Sequence, residues 1–209
     1  GGPAWRYEAP IAAADRTTLL AAFNSGFKLN DSLGGYYAEG RMVRPMRAGA
    51  ATLAIRSDGT PTVGVWGRDI EMGPGIVAAR QNLSLIVDNG QPAPDIDTGG
   101  TAKWGATLGN ALNVWRSGIG VTADGALVYA GGNQLSAGWL AGVLVRAGAV
   151  RAMELDINSA WVDFLAYGPP APGTPPPGQS VAKLLPDMSG SLQRYFEANS
   201  RDFIAIFRR

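Results

Sequence analysis

Apolar residues along this chain fall in short runs separated by Gly, Asn, Asp and Pro. Runs of that length, bounded by turn residues, predict strands in preference to long helices. Residues 17–23 read as a buried strand ending in the turn Asn24-Ser25-Gly26-Phe27. Residues 51–56 and 61–66 flank Asp58-Gly59, a hairpin signal. Residues 83–87 form a strand stopped by Asp88-Asn89-Gly90, and 118–122 with 126–130 form a second hairpin around Asp124-Gly125. One helix is predicted from an N-cap at Ser136 to about Ala147, with Leu140, Val143, Leu144 and Ala147 on one face and Gly148 as its stop. A strand over 151–157 follows and is expected to pair with 161–167. The tail, 202–207, is strand-like and returns to the main sheet. These elements predict one α+β domain over 1–209, a mixed or antiparallel sheet with packed helices. Its Pro-rich stretch 168–178 reads as a surface loop.

One strand pattern is unusual. In Ala152-Met153-Glu154-Leu155-Asp156-Ile157-Asn158-Ser159 the alternation puts Glu154, Asp156 and Asn158 on one face and Met153, Leu155 and Ile157 on the other. Three polar groups on an apolar strand are costly to bury unless each finds a partner. They mark either a site or a solvated outer face.

Composition narrows the chemistry. The 209 residues are 46% hydrophobic, enough for a sizeable core. Eighteen basic and 17 acidic residues leave a net charge of +1 without a run of either sign, so neither nucleic acid nor an acidic membrane surface is an expected partner. No apolar run reaches the roughly 20 residues of a membrane-spanning helix. Gly1-Gly2 reads as an artificial start, so a leader is expected to have been removed, and the location is secreted or cell-envelope. There is no Cys and no His. That excludes disulfides, thiolate nucleophiles, Ser-His-Asp triads and His-based zinc sites. An enzyme of this composition must use carboxylates, Tyr or Lys as acid and base, with Arg or amides assisting, a pattern suited to glycoside chemistry. No cofactor and no metal site is expected. Asp95-Ile96-Asp97-Thr98-Gly99 has only a passing likeness to a calcium loop and lacks its later ligands.

Four motifs in order carry a resemblance: Ala-Ala-Phe-Asn24-Ser-Gly26-Phe, Leu-Ile-Val-Asp-Asn89-Gly90, Arg116-Ser-Gly-Ile-Gly-Val-Thr-Ala-Asp-Gly125, and Leu140 through Ala147-Gly148-Ala149-Val150-Arg-Ala-Met-Glu-Leu155-Asp156. Over about residues 17–165 the chain resembles the phosphodiester glycosidase family, which includes the enzyme that uncovers mannose-6-phosphate and many bacterial envelope or secreted proteins. The resemblance implies an α+β fold, a cleft at strand ends, and cleavage of a sugar-1-phosphate diester or a related glycosidic bond. The family's usual Asn-Leu-Asp-Gly-Gly-Gly-Ser-Ser is altered here. Leu155-Asp156 is kept, Glu154 stands in place of Asn, and Ile157-Asn158 replace glycines.

On this basis Asp156 is the expected nucleophile, base or stabiliser of oxocarbenium charge, with Glu154 the complementary acid or base. Carboxylates at i and i+2 on a strand lie about 7 Å apart at Cα, within one cleft. The alternative for Glu154 is a structural ion pair with Arg151 or Arg146. Arg116 matches the family's arginine and either clamps an anion or holds Asp156. Asn24 and Asn158 are expected to hydrogen-bond sugar hydroxyls, the Asn24-Ser25-Gly26 turn to bring backbone N–H groups near the ligand, and Asp88 and Asn89 are further candidates; both asparagine-bearing turns, at 24 and at 89, are equally readable as local structure. The long Gly-rich stretch 90–110 carries Trp104, either a platform for a sugar face or a buried wedge. Two functions follow: a carbohydrate-active hydrolase acting on a bacterial envelope glycan, or a non-catalytic glycan- or anion-binding domain that retains the cleft.

Overall fold

A computed structural model describes residues 5–170 and 179–209. The strands, in chain order, are β1 (Leu19–Asn24), β2 (Tyr36–Ala38), β3 (Arg41–Arg44), β4 (Ala51–Arg56), β5 (Pro61–Val65), β6 (Ile76–Gln81) and β7 (Leu85–Asp88). Then come β8 (Gln91–Pro92), β9 (Val114–Thr122), β10 (Leu127–Leu135), β11 (Ala149–Glu154), β12 (Phe164–Pro170), β13 (Gln179–Lys183) and β14 (Phe203–Phe207). The α-helices are α1 (Leu29–Ser32), α2 (Gly100–Trp104) and α3 (Ala137–Arg146). The chain divides into two compact units, Gly1–Ser25 with Ser159–Arg209, and Gly26–Asn158.

The first unit is a four-stranded sheet in the order β13-β12-β1-β14, paired antiparallel throughout. Ile11, Leu19, Ala22, Leu165, Tyr167 and Tyr195 form its buried cluster. Two expectations are corrected here. The strand expected over 161–167 begins at Phe164 and pairs with β1 and β13, not with 151–157. The tail strand pairs with β1 in this sheet. Of the Pro-rich stretch, residues 168–170 complete β12, while 171–178 lie outside the described residues.

The second unit holds two five-stranded sheets, β3-β2-β6-β4-β5 and β10-β9-β11-β7-β8. Every ladder in them is antiparallel, so the fold is richer in strand than expected and the sheets are not mixed. Both Asp-Gly pairs make their hairpins, with Gly59 at φ 77° and Gly125 at φ 88°, a backbone region open to glycine without strain. The helix α3 starts where predicted: Ser136 accepts the Trp139 N–H at 3.1 Å and satisfies one of the first-turn donors. Leu140, Ala141 and Leu144 on its inner face are fully buried. Each such leucine contributes about 1.5–3 kcal/mol of apolar burial. A Cβ on Gly118 would lie 3.1 Å from Leu144 and 3.2 Å from Leu140, so glycine there lets α3 settle on the sheet. Among the described residues no helix is long and apolar enough to cross a membrane.

Candidate active site

The strand expected over 151–157 ends at Glu154, and the reason is a bulge. Glu154 sits opposite Gly118 in the β9–β11 ladder. The next residue of β9, Ser117, then faces two residues: its carbonyl accepts from Leu155 N at 2.8 Å, while its own N–H donates to the carbonyl of Asp156 at 2.8 Å. Two residues against one is the geometry of a β-bulge, which breaks the ladder and turns the strand. Glu154, Asp156 and Asn158 therefore do not share a strand face. Asp156 is buried and accepts the N–H groups of Ile157 at 2.8 Å and Asn158 at 3.0 Å on its Oδ1, while Asn158 itself is exposed.

Glu154 goes elsewhere. Its carboxylate is fully buried and forms an ion pair with Arg116, through Arg116 Nη1 and Glu154 Oε1. The predicted structural alternatives, Arg151 and Arg146, are not its partners. Arg116 also donates from Nε to Leu135 O at 2.9 Å, from Nη1 to Trp104 O at 2.8 Å and from Nη2 to Leu112 O at 3.3 Å. Four bonds occupy a guanidinium that has five N–H donors. This fork holds the protein together: it pairs with Glu154 and not with Asp156, and it is enclosed, with the residue 1% exposed. The pocket beside it, lined in part by Asp97, Thr101, Leu112, Arg116 and Ser136, has a volume of about 60 Å³. Pockets for drug-sized ligands run to roughly 300–1,000 Å³. Burial pushes the Glu154 carboxyl up to about 7 from an ordinary 4.5, against the pull of the Arg116 charge and hydrogen bond and with a smaller upward push from Asp156.

Other predicted residues divide clearly. Trp104 is the buried wedge, 2% exposed within the cluster beneath α3, so its ring offers no sugar platform. It lies in α2, which with β8 gives the 90–110 stretch structure of its own. Asp88 and Asn89 lie at the other end of the β7–β11 pair, because β7 and β11 run antiparallel with Ala152 opposite Val87. Asn89 (φ 50°) and Gly90 (φ 72°) make the two-residue turn from β7 to β8, a type I′ geometry that needs positive φ at both positions. Asp88 joins Asp69, Arg68 and Arg151 in a ring of alternating charge: Arg68 lies 2.7 Å from each aspartate, and Arg151 lies 3.1 Å from Asp69 and 3.6 Å from Asp88. Asp95 of the calcium-like segment pairs with Lys103.

Gly26 packs against Asn82, whose carboxamide would lie 3.0–3.2 Å from a Cβ at position 26. Asn24 belongs to the first unit, where its Nδ2 donates to Ser25 O at 3.0 Å and its Oδ1 accepts the Asp163 N–H at 3.2 Å. Asp163 is a buried carboxylate 3.6 Å from Arg194, and burial pushes it up. Sequence reasoning passed over Asp163, Asn82 and Ser117. The signals were slight: an Asp inside Trp161-Val162-Asp163-Phe164, the polar triplet Arg80-Gln81-Asn82 between apolar runs, and a small hydroxyl inside β9.

Comparison with known proteins agrees with this architecture. A family profile described as phosphodiester glycosidase matches residues 15–156. The zebrafish N-acetylglucosamine-1-phosphodiester alpha-N-acetylglucosaminidase catalytic domain, auto-inhibited by its pro-peptide, superposes with a TM-score of 0.53 at 18% identity over 78% of this chain. This chain spans 58% of that structure's length. A hypothetical protein from Synechocystis gives a TM-score of 0.43 at 13% identity, covering 70% of this chain and 47% of its own. No match was found among curated proteins. With 15–156 spanning the bulge, the Arg116–Glu154 pair and Asp156, the chain belongs to the phosphodiester glycosidase family.

Proposed function

We propose that this protein is a hydrolase that cleaves a sugar-1-phosphate diester, with Asp156 as the acting carboxylate and a bacterial envelope glycan as the substrate. The observation that carries the choice of bond is the ion pair between Arg116 and Glu154. An ordinary glycosidic bond calls for two carboxyl groups, one of them protonating the leaving oxygen. With Glu154 enclosed and paired, that second group is removed from the site, and a phosphate leaves as an anion without needing a proton. Asp156 then either activates water for attack at the anomeric carbon, taking its proton, or attacks that carbon itself and is released by water. In both routes the C–O bond to phosphate breaks and its electron pair goes to the phosphate oxygen. The N–H groups of Ile157 and Asn158 hold Asp156 Oδ1 in place. A secreted or envelope location fits such a substrate.

The burial of Asp156, 3% exposed, favours a second reading: a glycan- or anion-binding domain without turnover. One comparison separates the two. A hexose-1-phosphate methyl diester and the matching methyl glycoside, whose leaving oxygen must be protonated, are incubated with the protein and its D156N and E154Q variants, with products followed by NMR. Turnover of the diester alone, lost in D156N, supports the hydrolase. Glycan binding without turnover of either compound supports the binding domain. Efficient hydrolysis of the glycoside, abolished by E154Q in a folded protein, would return Glu154 to the role of acid.

A further inference from the structure

At Leu155–Asp156 the bulge and the end of the β7 pairing leave the Asp156 N–H and the Glu154 and Leu155 carbonyls outside the β-ladder, and two buried side chains take them. A residue inserted into a ladder carries an N–H and a C=O that the partner strand cannot satisfy, and orphaned buried groups are costly. Ser117 supplies the first remedy. Its Oγ accepts the Asp156 N–H at 3.1 Å and lies 3.2 Å from the Asp156 carbonyl, to which it donates. Asn82 supplies the second. Its Nδ2 donates to Glu154 O at 2.8 Å and to Leu155 O at 2.9 Å.

Asn82 can do this because of where β7 begins. The β7–β11 pairing reaches only Met153 opposite Leu85, and Leu83 turns the chain with φ 46°. Beyond Met153 no backbone donor of β7 continues the ladder, and the Asn82 carboxamide stands in for one. Its own backbone is fixed by β4, through Asn82 N to Ala51 O at 3.0 Å and Ala51 N to Leu83 O at 3.0 Å. Ser117 and Asn82 are both fully buried. The turn that carries Asp156 is therefore gripped on one side by a hydroxyl from β9 and on the other by a carboxamide from the β6–β7 connection.

We infer that Ser117 and Asn82 are positioning residues for Asp156, acting through the bulge that sets the direction of its carboxylate. This rests on the reading of Asp156 as the acting carboxylate. Misplacing a reacting group by about 1 Å costs on the order of 100-fold in rate. Loss of either grip is accordingly expected to lower kcat by about 10–100-fold with KM changed less than about threefold.

The test uses the full chain with carboxyl-13C aspartate, comparing wild type, S117A, S117T, N82A, D156A and the double variant S117A/D156A. Thermal unfolding establishes folding. The Asp156 carboxyl signal, assigned by its loss in D156A, is titrated in each folded variant, and turnover of the hexose-1-phosphate methyl diester is measured. The inference expects S117A and N82A to move the Asp156 titration by roughly half a pH unit or more and to lower kcat. S117T, which keeps the hydroxyl, is expected to stay near wild type. S117A is expected to cost nothing further once Asp156 is already alanine. An unchanged Asp156 titration in folded S117A and N82A overturns the inference. So does an equal loss of rate from S117A in the D156A background, or failure of both S117A and N82A to fold, which would make the grips a condition of the fold itself. If the wild type turns over no diester, the proposed function fails while the carboxyl titration still decides this inference.

Discussion

Glu154 and Arg116 face each other from adjacent strands, with both side chains closed to solvent and the guanidinium also bound to three backbone carbonyls. An enclosed pair of this kind is costly to break from one side, because the surviving charge is left buried alone. E154L and R116M are each expected to lower stability by about 3–5 kcal/mol, because each leaves the other's buried polar group unmatched. The double variant with Met at 116 and Leu at 154 is expected to lose much less than the sum of the single losses. Urea unfolding of all four proteins gives the coupling. Additive losses would mean that the two side chains are energetically independent.

The same carboxyl makes stability depend on pH. Its value in the fold, about 7, lies above its ordinary 4.5, so the folded chain holds the proton more tightly than the unfolded chain does. That contribution is complete below about pH 4.5 and is lost as pH rises through 7. Asp163 is shifted in the same direction, so the observable is the difference between wild type and E154Q. Wild-type stability should fall relative to E154Q between pH 4.5 and 7, as read by denaturation at each pH. A flat difference would place Glu154 near its ordinary value.

Gly90 follows Asn89 in the turn between β7 and β8, at φ 72°. A Cβ there has no heavy atom within 4 Å, so the expected penalty is conformational and not steric. G90A should cost about 1–2 kcal/mol of stability, the strain of a left-handed side-chain-bearing residue. Turnover of the folded fraction should not change. A drop in kcat at full folding would restore the 88–90 turn as part of the site.

The ring of Arg68, Asp69, Arg151 and Asp88 is open to solvent on Arg68, whose side chain is 50% exposed, and nearly closed at Asp69, at 9%. Asp69 Oδ2 also accepts the Val65 N–H at 2.8 Å. D69A should therefore be the more damaging change, while D88A should cost no more than about 1 kcal/mol. The D88A penalty should shrink as salt is raised from 0.1 to about 1 M, where screening shortens from about 10 to 3 Å. Equal penalties for the two aspartates would contradict the burial difference.

Much of the strand and helix order was legible from the sequence because it depends on local signals. The two Asp-Gly hairpins, the Ser136 cap and the Gly148 stop are set by residues adjacent in the chain. Long-range pairing was not legible in the same way. Nothing near Phe164 announces that its partner is Phe23, and neighbouring apolar runs made a false pairing with 151–157 attractive. At the candidate site, Arg116, Glu154 and Asp156 were identified as polar residues in an apolar setting. The face that Glu154, Asp156 and Asn158 were expected to share does not exist, because strand alternation holds only while the ladder is regular. The extra residue opposite Ser117 cancels it, and a bulge without a telltale glycine leaves no mark in the pattern.

The sheet built on β1 has a consequence for how the chain is made. Its strand β1 precedes residues 26–158 in the chain, yet both of its neighbours, β12 and β14, follow them. On a ribosome, β1 emerges before that whole segment and stays without its partners until the segment has been synthesised. Residues 26–158, by contrast, are contiguous and contain all the strands of their two sheets. That segment is free to fold as it emerges, while β1, with its apolar Leu19-Leu20-Ala21-Ala22-Phe23, waits as an unpaired edge exposed to aggregation and to chaperone capture.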